Sequence, residues 1–192
     1  MLETKGAPRF TFSVTSMGCK ANLTDSHALE SELRNLGGMP FSGEGAPDLH
    51  LLNTCTVTDQ ADKDAAQLLR KTKASFTIAT GCFAEVDPDR LEKAALLAGN
   101  PFKVLRNSAK QELGPLVQEW LGGLLNEQKS IIHGDRAGWH SRILPNKPSA
   151  LDVEASGVPR TRAFIKVHDG CNAFCSYCVI PLARGKIGRA HV

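Results

Sequence analysis

Three cysteines in the stretch "HDGCNAFCSYC" have the spacing C-x3-C-x2-C, and they are Cys171, Cys175 and Cys178. Three thiols are more than a redox pair needs and fewer than the four ligands of a closed zinc site. Zinc could recruit His168, but zinc ribbons usually contain two C-x2-C knuckles, and this sequence has no second one. An iron–sulfur cubane bound by three thiolates leaves one iron open. The motif therefore favours a cluster that can bind a substrate, with zinc as the alternative.

The other three cysteines each follow a predicted β-strand. These are Cys19 after "FTFSV" (10–14), Cys55 after "LHLLN" (49–53) and Cys82 after "FTIAT" (76–80). In an open parallel sheet the carboxyl ends of the strands share one edge, where ligands bind. Gly18 and Gly81 directly precede two of these cysteines and allow the backbone to turn sharply beside a bulky group. Free cysteines can also be small core residues, but three at equivalent strand ends favour a second metal site.

The elements that must position these cysteines alternate along the first 125 residues. A helix with Leu29, Leu33 and Leu36 on one face follows the first strand and ends at Gly37-Gly38. The next helix carries Ala61, Ala65, Leu68 and Leu69 on one side. Alternating strands and helices predict an α/β domain over 1–125, with an open parallel sheet of four or five strands and helices on both faces.

Capping residues refine the later helices of this domain. Asp87 can cap a helix after the third strand, and Pro88 can occupy its first position. After a fourth strand, "FKVLR" (102–106), Ser108 and Gln111 have the spacing of a capping box. The helical period then continues through Leu113, Leu116, Val117, Trp120 and Leu121, with Gly114-Pro115 as a candidate break.

The pattern is lost over residues 126–160. The stretch "PNKPSALDVEASGVPR" contains three prolines and few apolar residues, which indicates a linker or a surface arm. A new strand, "TRAFIKV" (161–167), precedes the C-x3-C-x2-C motif and predicts the start of a second domain over 161–192.

Composition describes an ordinary water-soluble protein. The 192 residues are 42% hydrophobic and carry a formal net charge of +3, which by itself neither indicates nor excludes a nucleic-acid partner. The sequence contains no apolar run of signal-peptide or membrane-span length. We therefore expect a cytoplasmic protein without a membrane partner, whose six cysteines are reduced and free to act as ligands.

The cysteine motifs resemble those of a known family. C-x3-C-x2-C with Tyr177 before its last cysteine resembles the signature of radical S-adenosylmethionine (SAM) enzymes. "GCKAN", "NTCTVT" and "TGCFAE" resemble the leading domain of the methylthiotransferases, a radical SAM subfamily with two clusters. The resemblance covers the chain up to about residue 185. Lys20, after the first cysteine, and "TVT", after the second, are most similar to the branch that modifies N6-threonylcarbamoyladenosine in tRNA.

The resemblance implies two [4Fe–4S] clusters and SAM as cofactors. Cys171, Cys175 and Cys178 would bind the cluster whose open iron chelates SAM and cleaves it to a deoxyadenosyl radical. Tyr177 and Arg184 would lie near SAM, although Tyr177 could simply pack in its loop and Arg184 could be an exposed basic residue.

The other trio would bind the second cluster. Its open iron would carry the sulfur that is methylated and inserted at an unactivated carbon, and its ligands would be Cys19, Cys55 and Cys82. Asn22 and Asn53 flank these cysteines and could orient their loops, or Asn22 could cap a helix. The implied partners are a tRNA substrate and an electron donor such as flavodoxin or ferredoxin.

Alternatives to this function follow from the same residues. Within the family, the substrate could be isopentenyladenosine in tRNA or an aspartate of a ribosomal protein. Outside it, the chain could be a non-catalytic iron–sulfur or zinc protein.

The family continues after "RG" into a partial (β/α) barrel, of which this chain holds only the truncated start. Residues 186–192, "KIGRAHV", are encoded by bases that resemble a sequencing adapter, which predicts that they are not native and that the chain is an inactive N-terminal fragment.

Overall fold

A computed structural model of the chain describes residues 9–123, 131–133, 164 and 166–189. Its centre is one six-stranded sheet with the order β2-β1-β3-β4-β5-β6, in which every neighbouring pair is parallel. The strands are β1 Phe10–Ser16, β2 Gly38–Pro40, β3 Leu49–Thr54, β4 Phe76–Gly81, β5 Phe102–Leu105 and β6 Ile131–Ile132. The α/β fold with a parallel sheet is confirmed.

Helices cover both faces of the sheet because successive strand residues point to opposite sides. The helices of this layer are α1 Lys20–Asn35, α2 Asp59–Lys71, α3 Cys82–Val86, α4 Pro88–Leu96 and α5 Leu113–Leu121, with a 3₁₀ helix at Asn107–Glu112. Leu51 packs in the core under α1 and α5, whereas its neighbour Leu52 packs in the core under α2 and α4. Two apolar cores therefore hold the strand ends in fixed positions.

The cap of α4 matches its prediction, whereas the face of α2 does not. Asp87 accepts a hydrogen bond from the backbone N–H of Arg90 at 3.1 Å, and Pro88 is the first residue of α4. In α2 the buried stripe is Asp62, Ala65, Ala66 and Leu69. The prediction that Leu68 lies on the buried face was wrong, because the buried polar Asp62 hid the true register of the stripe; Ala61 is half-buried.

The predicted capping box at Ser108 and Gln111 was also wrong. Both lie in the 3₁₀ helix, and the backbone N–H and hydroxyl of Ser108 donate to Glu85 Oε2 at 3.0 and 2.9 Å. A buried carboxylate from α3 therefore takes the place of a local partner. Gly114-Pro115 does not break a helix, because α5 begins at Leu113 and Pro115 lies in its first turn, where proline is tolerated.

Two short strands were not predicted. β2 follows α1 directly, and β6 lies within the range 126–160 that the sequence assigned to a linker. The rest of that range, other than His133, lies outside the described residues, as do 161–163 and 165 of the predicted strand 161–167.

The described part of the second segment contains three short elements. These are β7 His168–Asp169, α6 Ile180–Arg184 and β8 Gly188–Arg189, with β7 and β8 antiparallel. Residues 190–192, part of the stretch predicted not to be native, lie outside the described residues. Among the helices that the structure describes, none has both the length and the apolar character needed to span a membrane.

Candidate metal centre

The first cysteine trio lies along the carboxyl edge of three neighbouring strands, as the sequence predicted. Cys19 caps α1 after β1, Cys55 follows β3, and Cys82 is the first residue of α3 after β4. The sheet order places β1, β3 and β4 side by side. Cys55 and Cys82 are buried, whereas Cys19 is exposed.

A single buried amide contacts all three cysteine loops. Asn22 Nδ2 donates to the carbonyl oxygen of Met17 at 2.9 Å and to that of Thr54 at 2.8 Å, beside Cys19 and Cys55 respectively. The thiol of Cys82 donates to Asn22 Oδ1 across 3.7 Å. Asn22 therefore orients the loops rather than capping a helix, since it lies inside α1.

Asn53 fixes Asn22 in turn. Its Nδ2 donates to the backbone carbonyl of Asn22 at 2.8 Å and to Ser26 Oγ at 2.9 Å, so the end of β3 is bonded to the first turns of α1. Asn22 and Asn53 are both fully buried, with 0% exposure. Buried hydrogen bonds of this kind hold loop geometry firmly because breaking them leaves polar groups without water.

Two glycines allow the loops to approach each other. Gly18 has φ +86°, and a Cβ built there would lie 2.5 Å from Cys55 Sγ. Gly81 has φ +98°, and its Cβ would lie 2.4 Å from the carbonyl oxygen of Thr54. Neither position has room for a side chain, so the sharp turns predicted at both glycines are present and bring neighbouring loops close together.

The charge around Cys82 opposes the effect of its burial. Burial raises the pKa of the Cys82 thiol, while the positive charges of Arg184 and Lys110 act to lower it. Cations beside a thiol favour the thiolate, which is the form that binds metals. The net effect is a pKa above the ordinary value, so the two cations offset only part of the effect of burial on Cys82.

The donor chemistry of the first trio, three free cysteine thiols, is the kind that iron–sulfur clusters take as ligands. Within residues 9–123, 131–133, 164 and 166–189, no group of three or more His, Cys, Asp or Glu residues is placed to hold one metal ion. All six cysteines are free. Thiolates that bind one cubane are attached to different irons, so they stand further apart than the ligands of one ion.

The second trio lies in a loop that is open to solvent. Cys175 is exposed, and Cys171 and Cys178 are half-buried. The backbone N–H of Cys178 donates to the carbonyl of Cys175, and that of Cys171 donates to the carbonyl of Gly185, each at 3.0 Å. Tyr177 is 91% exposed, so the alternative that it packs within the loop is wrong.

Arg184 is buried, which contradicts the alternative of an exposed basic residue. It is 4% exposed and donates to Asp169 Oδ1 at 2.7 Å and to Asn22 Oδ1. Arg184, six residues after the last cysteine of the second trio, thus contacts Asn22, which joins the loops of the first trio. Neither cysteine spacing nor hydrophobic period contained a signal for this contact.

Comparison with known proteins assigns the first part of the chain to a family. Residues 11–98 match the model described as "Uncharacterized protein family UPF0004". The chain is 32% identical over 176 residues to threonylcarbamoyladenosine tRNA methylthiotransferase MtaB of Aquifex aeolicus, an alignment covering 90% of this chain and 40% of the relative. The chain carries the UPF0004 domain of the methylthiotransferase family. This confirms the resemblance to methylthiotransferases.

Other relatives of this UPF0004 domain differ in the substrate that their names give. MtaB of Bacillus subtilis is 30% identical over 179 residues, covering 91% of this chain and 37% of the relative. Ribosomal protein uS12 methylthiotransferase RimO of Leptospira biflexa is 27% identical over 191 residues, covering 96% and 40%. The chain thus spans about two fifths of the length of these relatives.

Sequence reasoning missed one charged residue of the UPF0004 domain. Asp25 is buried one turn beyond Asn22 in α1 and contacts Lys110, Lys166 and Arg184. The signal was present in the helical period, because Asn22, Asp25 and Leu29 lie on the same buried face of α1. A carboxylate on a buried helix face predicts a partner cation, but not which one.

Proposed function

We propose that the protein to which this chain belongs transfers a methylthio group to an unactivated carbon of N6-threonylcarbamoyladenosine in tRNA by radical SAM chemistry. The observation that carries the proposal is the contact of Asn22 with all three loops of the first trio and with Arg184, beside the second trio. Two separate thiol sites that are linked through Asn22 and Arg184 suit a reaction that activates a carbon at one site and delivers sulfur from another. Similarity to the two MtaB proteins supports the choice of substrate.

The first trio is proposed to hold the sulfur-carrying [4Fe–4S] cluster. Cys19, Cys55 and Cys82 would be its ligands, and Asn22 would keep their loops in register through bonds to Met17 and Thr54. The UPF0004 domain contributes fixed strand ends, so the thiols need little rearrangement to bind.

The second trio is proposed to hold the cluster that binds SAM. Cys171, Cys175 and Cys178 would be its ligands, and their exposure leaves the loop accessible to a cofactor. The two clusters, when bound, supply one-electron cleavage of SAM and a carrier for sulfur. The backbone at Tyr177 would lie beside the adenine of SAM. Arg184 would act in the vicinity of SAM through its charge, because its guanidinium is already bonded to Asp169 and Asn22.

The proposed partners follow from this chemistry. The substrate is tRNA, and each SAM cleavage consumes one electron, which flavodoxin or ferredoxin could supply. Such a reaction belongs in the cytoplasm, where tRNA is present.

Modification of a ribosomal protein is the second candidate function. The similarity to RimO of Leptospira biflexa covers 96% of this chain, so the domain alone does not decide between a nucleoside and a protein aspartate. Both candidates use the same six cysteines and differ only in the substrate.

Nucleoside analysis of a deletion strain separates these substrates. Removing the complete gene should abolish the methylthio group on threonylcarbamoyladenosine, measured by mass spectrometry of digested tRNA. The methylthio groups on isopentenyladenosine and on the aspartate of ribosomal protein uS12 should remain. Loss of either of these instead, with threonylcarbamoyladenosine still modified, would contradict the proposed substrate.

Anaerobic reconstitution tests the cofactors separately from the substrate. After treatment with iron and sulfide, the full-length protein should contain about eight iron atoms per chain, as expected for two cubanes. A tightly held zinc ion with no iron would instead support the non-catalytic alternative.

A further inference from the structure

Asp25 is the centre of a buried charge cluster that joins three segments of the chain. Its carboxylate accepts from Lys110 Nζ at 2.8 Å, from Lys166 Nζ at 2.5 Å and from Arg184 Nη2 at 3.1 Å. Lys110 lies in the 3₁₀ helix that follows β5, whereas Lys166 and Arg184 lie in the segment with the second trio. One carboxylate of α1 thus binds both parts of the chain.

Lys166 and Arg184 lie on either side of the second trio in sequence. Lys166 is five residues before Cys171, and Arg184 is six residues after Cys178. Both also bond Asp169, at 3.0 and 2.7 Å. The loop that carries the three thiols is therefore closed at its base by ion pairs, and those ion pairs converge on Asp25.

Neighbouring contacts attach the same segment to the domain. Asn107 Nδ2 donates to the carbonyl of Ala183 at 3.1 Å, and Ala183 is fully buried. Lys20, next to Cys19, lies over the ring of Phe164 with its Nζ 5.5 Å from the ring centroid. A buried ion pair that loses one partner leaves an uncompensated buried charge. The ion pairs around Asp25 are therefore expected to form and break together.

We propose that Asp25 is a positioning residue that docks the base of the C-x3-C-x2-C loop on the UPF0004 domain and so fixes the distance between the two cysteine trios. The docking itself does not depend on any cofactor. Its use in catalysis rests on the proposed function, because the sulfur carried at one site must reach the carbon that is activated at the other. Small errors in such a geometry lower reaction rates strongly.

Hydrogen exchange on the 192-residue chain tests the docking without metal. Asp25→Asn combined with Lys110→Met removes the carboxylate and its domain-side partner together, so that no lysine is left buried and unpaired. Exchange in peptides covering 179–187 should rise about tenfold or more, while peptides covering 49–54 and 76–81 keep their protection. Arg184→Met, which removes the partner of Asp25 in the segment with the second trio, should produce the same pattern. Asp25→Glu keeps a carboxylate and should therefore retain part of the protection that the double variant loses.

The matched control is Asp89→Asn, which changes an exposed aspartate of α4 and should leave exchange at 179–187 unchanged. Unchanged protection of 179–187 in both the Asp25→Asn/Lys110→Met and Arg184→Met variants would overturn the docking.

Turnover tests the positioning role in the full-length reconstituted protein. Asp25→Asn/Lys110→Met should keep the wild-type iron content and SAM cleavage but lose methylthio transfer by about a hundredfold. Wild-type transfer in this variant would overturn the positioning role. A wild-type protein that binds no iron would instead contradict the proposed function, and the exchange result would still decide the docking.

Discussion

At the scale of single residues, the candidate site depends on side chains that bind no metal. Asn22 has only one amide group, yet its two polar atoms contact the loops of Cys19, Cys55 and Cys82. A cysteine trio needs such a residue because thiols make weak hydrogen bonds and cannot fix their own loops. The sequence motif shows the ligands, whereas the structure shows what holds them.

Replacing Asn22 with Ala should destabilise the domain by about 2–4 kcal/mol, because it removes the donor to the buried carbonyl of Thr54 and to the part-buried carbonyl of Met17. The free energy of unfolding from urea titration measures this effect. Asn100→Ala is the matched control, since Asn100 makes one bond, to the carbonyl of Thr72 at 2.9 Å, in a half-buried position. That variant should lose about 1 kcal/mol, and equal losses in both would contradict the role of Asn22.

The ion pairs of Asp25 predict a specific dependence of stability on pH. Burial alone would raise the pKa of Asp25, but Lys110, Lys166 and Arg184 together hold it well below its ordinary value of 3.8. Ionised Asp25 therefore stabilises the fold fully above pH 3.8, and this stabilisation is lost as the pH falls towards the lower pKa of the folded state. The three cations stay protonated throughout that range and add no slope of their own.

The measurement is the free energy of unfolding from urea titrations between about pH 5 and pH 2. Asp25→Asn combined with Lys110→Met should give a shallower loss of stability over this range than the wild type. The exposed Asp89→Asn control should keep the wild-type slope. Parallel curves for the double variant and the wild type would show that Asp25 is not the titrating group.

At the scale of elements, the sequence predicted most of the parallel sheet. Four runs rich in apolar residues correspond to β1, β3, β4 and β5. Every residue of β3 and β4 is buried, whereas in β1 only Phe10 and Phe12 are. β2 and β6 could not be predicted from period, since strands of three and two residues are too short to show one. Their pairing depends on neighbouring strands rather than on their own residues.

Polar residues in buried positions caused the remaining errors. Asp62 lies on the buried face of α2, so the apolar period alone suggested a stripe rotated towards Leu68. Ser108 bonds Glu85, which is 23 residues away, and not the nearby Gln111. Capping rules describe local partners, and here a distant carboxylate provides a better one.

The turn between β4 and α3 leads to a prediction about Gly81. Gly81→Ala combines a left-handed backbone with a Cβ 2.4 Å from the Thr54 carbonyl, so it should cost about 3 kcal/mol or more in unfolding free energy. Gly99→Ala is the control, because Gly99 also has positive φ but no atom within 4 Å of its Cβ. It should cost about 1–2 kcal/mol. Similar losses in both variants would show that the close approach at Gly81 does not constrain the Cys82 turn.

At the scale of the whole molecule, two cysteine sites distant in sequence are linked by side chains that no motif includes. Asp25 and Arg184 are 159 residues apart, yet they form a buried ion pair. The cysteine spacings could predict which residues form each trio. They could not predict that the trios are connected, because that depends on the packing of α6 against α3.

The two trios should fail in different ways when each loses one cysteine in the full-length protein. Cys55→Ala should leave SAM cleavage to deoxyadenosine measurable by chromatography, because the proposed SAM-binding trio is intact. Cys175→Ala should abolish that cleavage, since two thiolates hold a cubane poorly and no open iron is then presented to SAM. Both variants should lose methylthio transfer, and each should retain about half of the wild-type iron. Asp25→Asn combined with Lys110→Met is the control for the link between the sites, because it changes no cysteine and should keep all of the iron. Equal loss of cleavage in both cysteine variants, with the control still cleaving SAM, would mean that the roles of the trios are assigned wrongly.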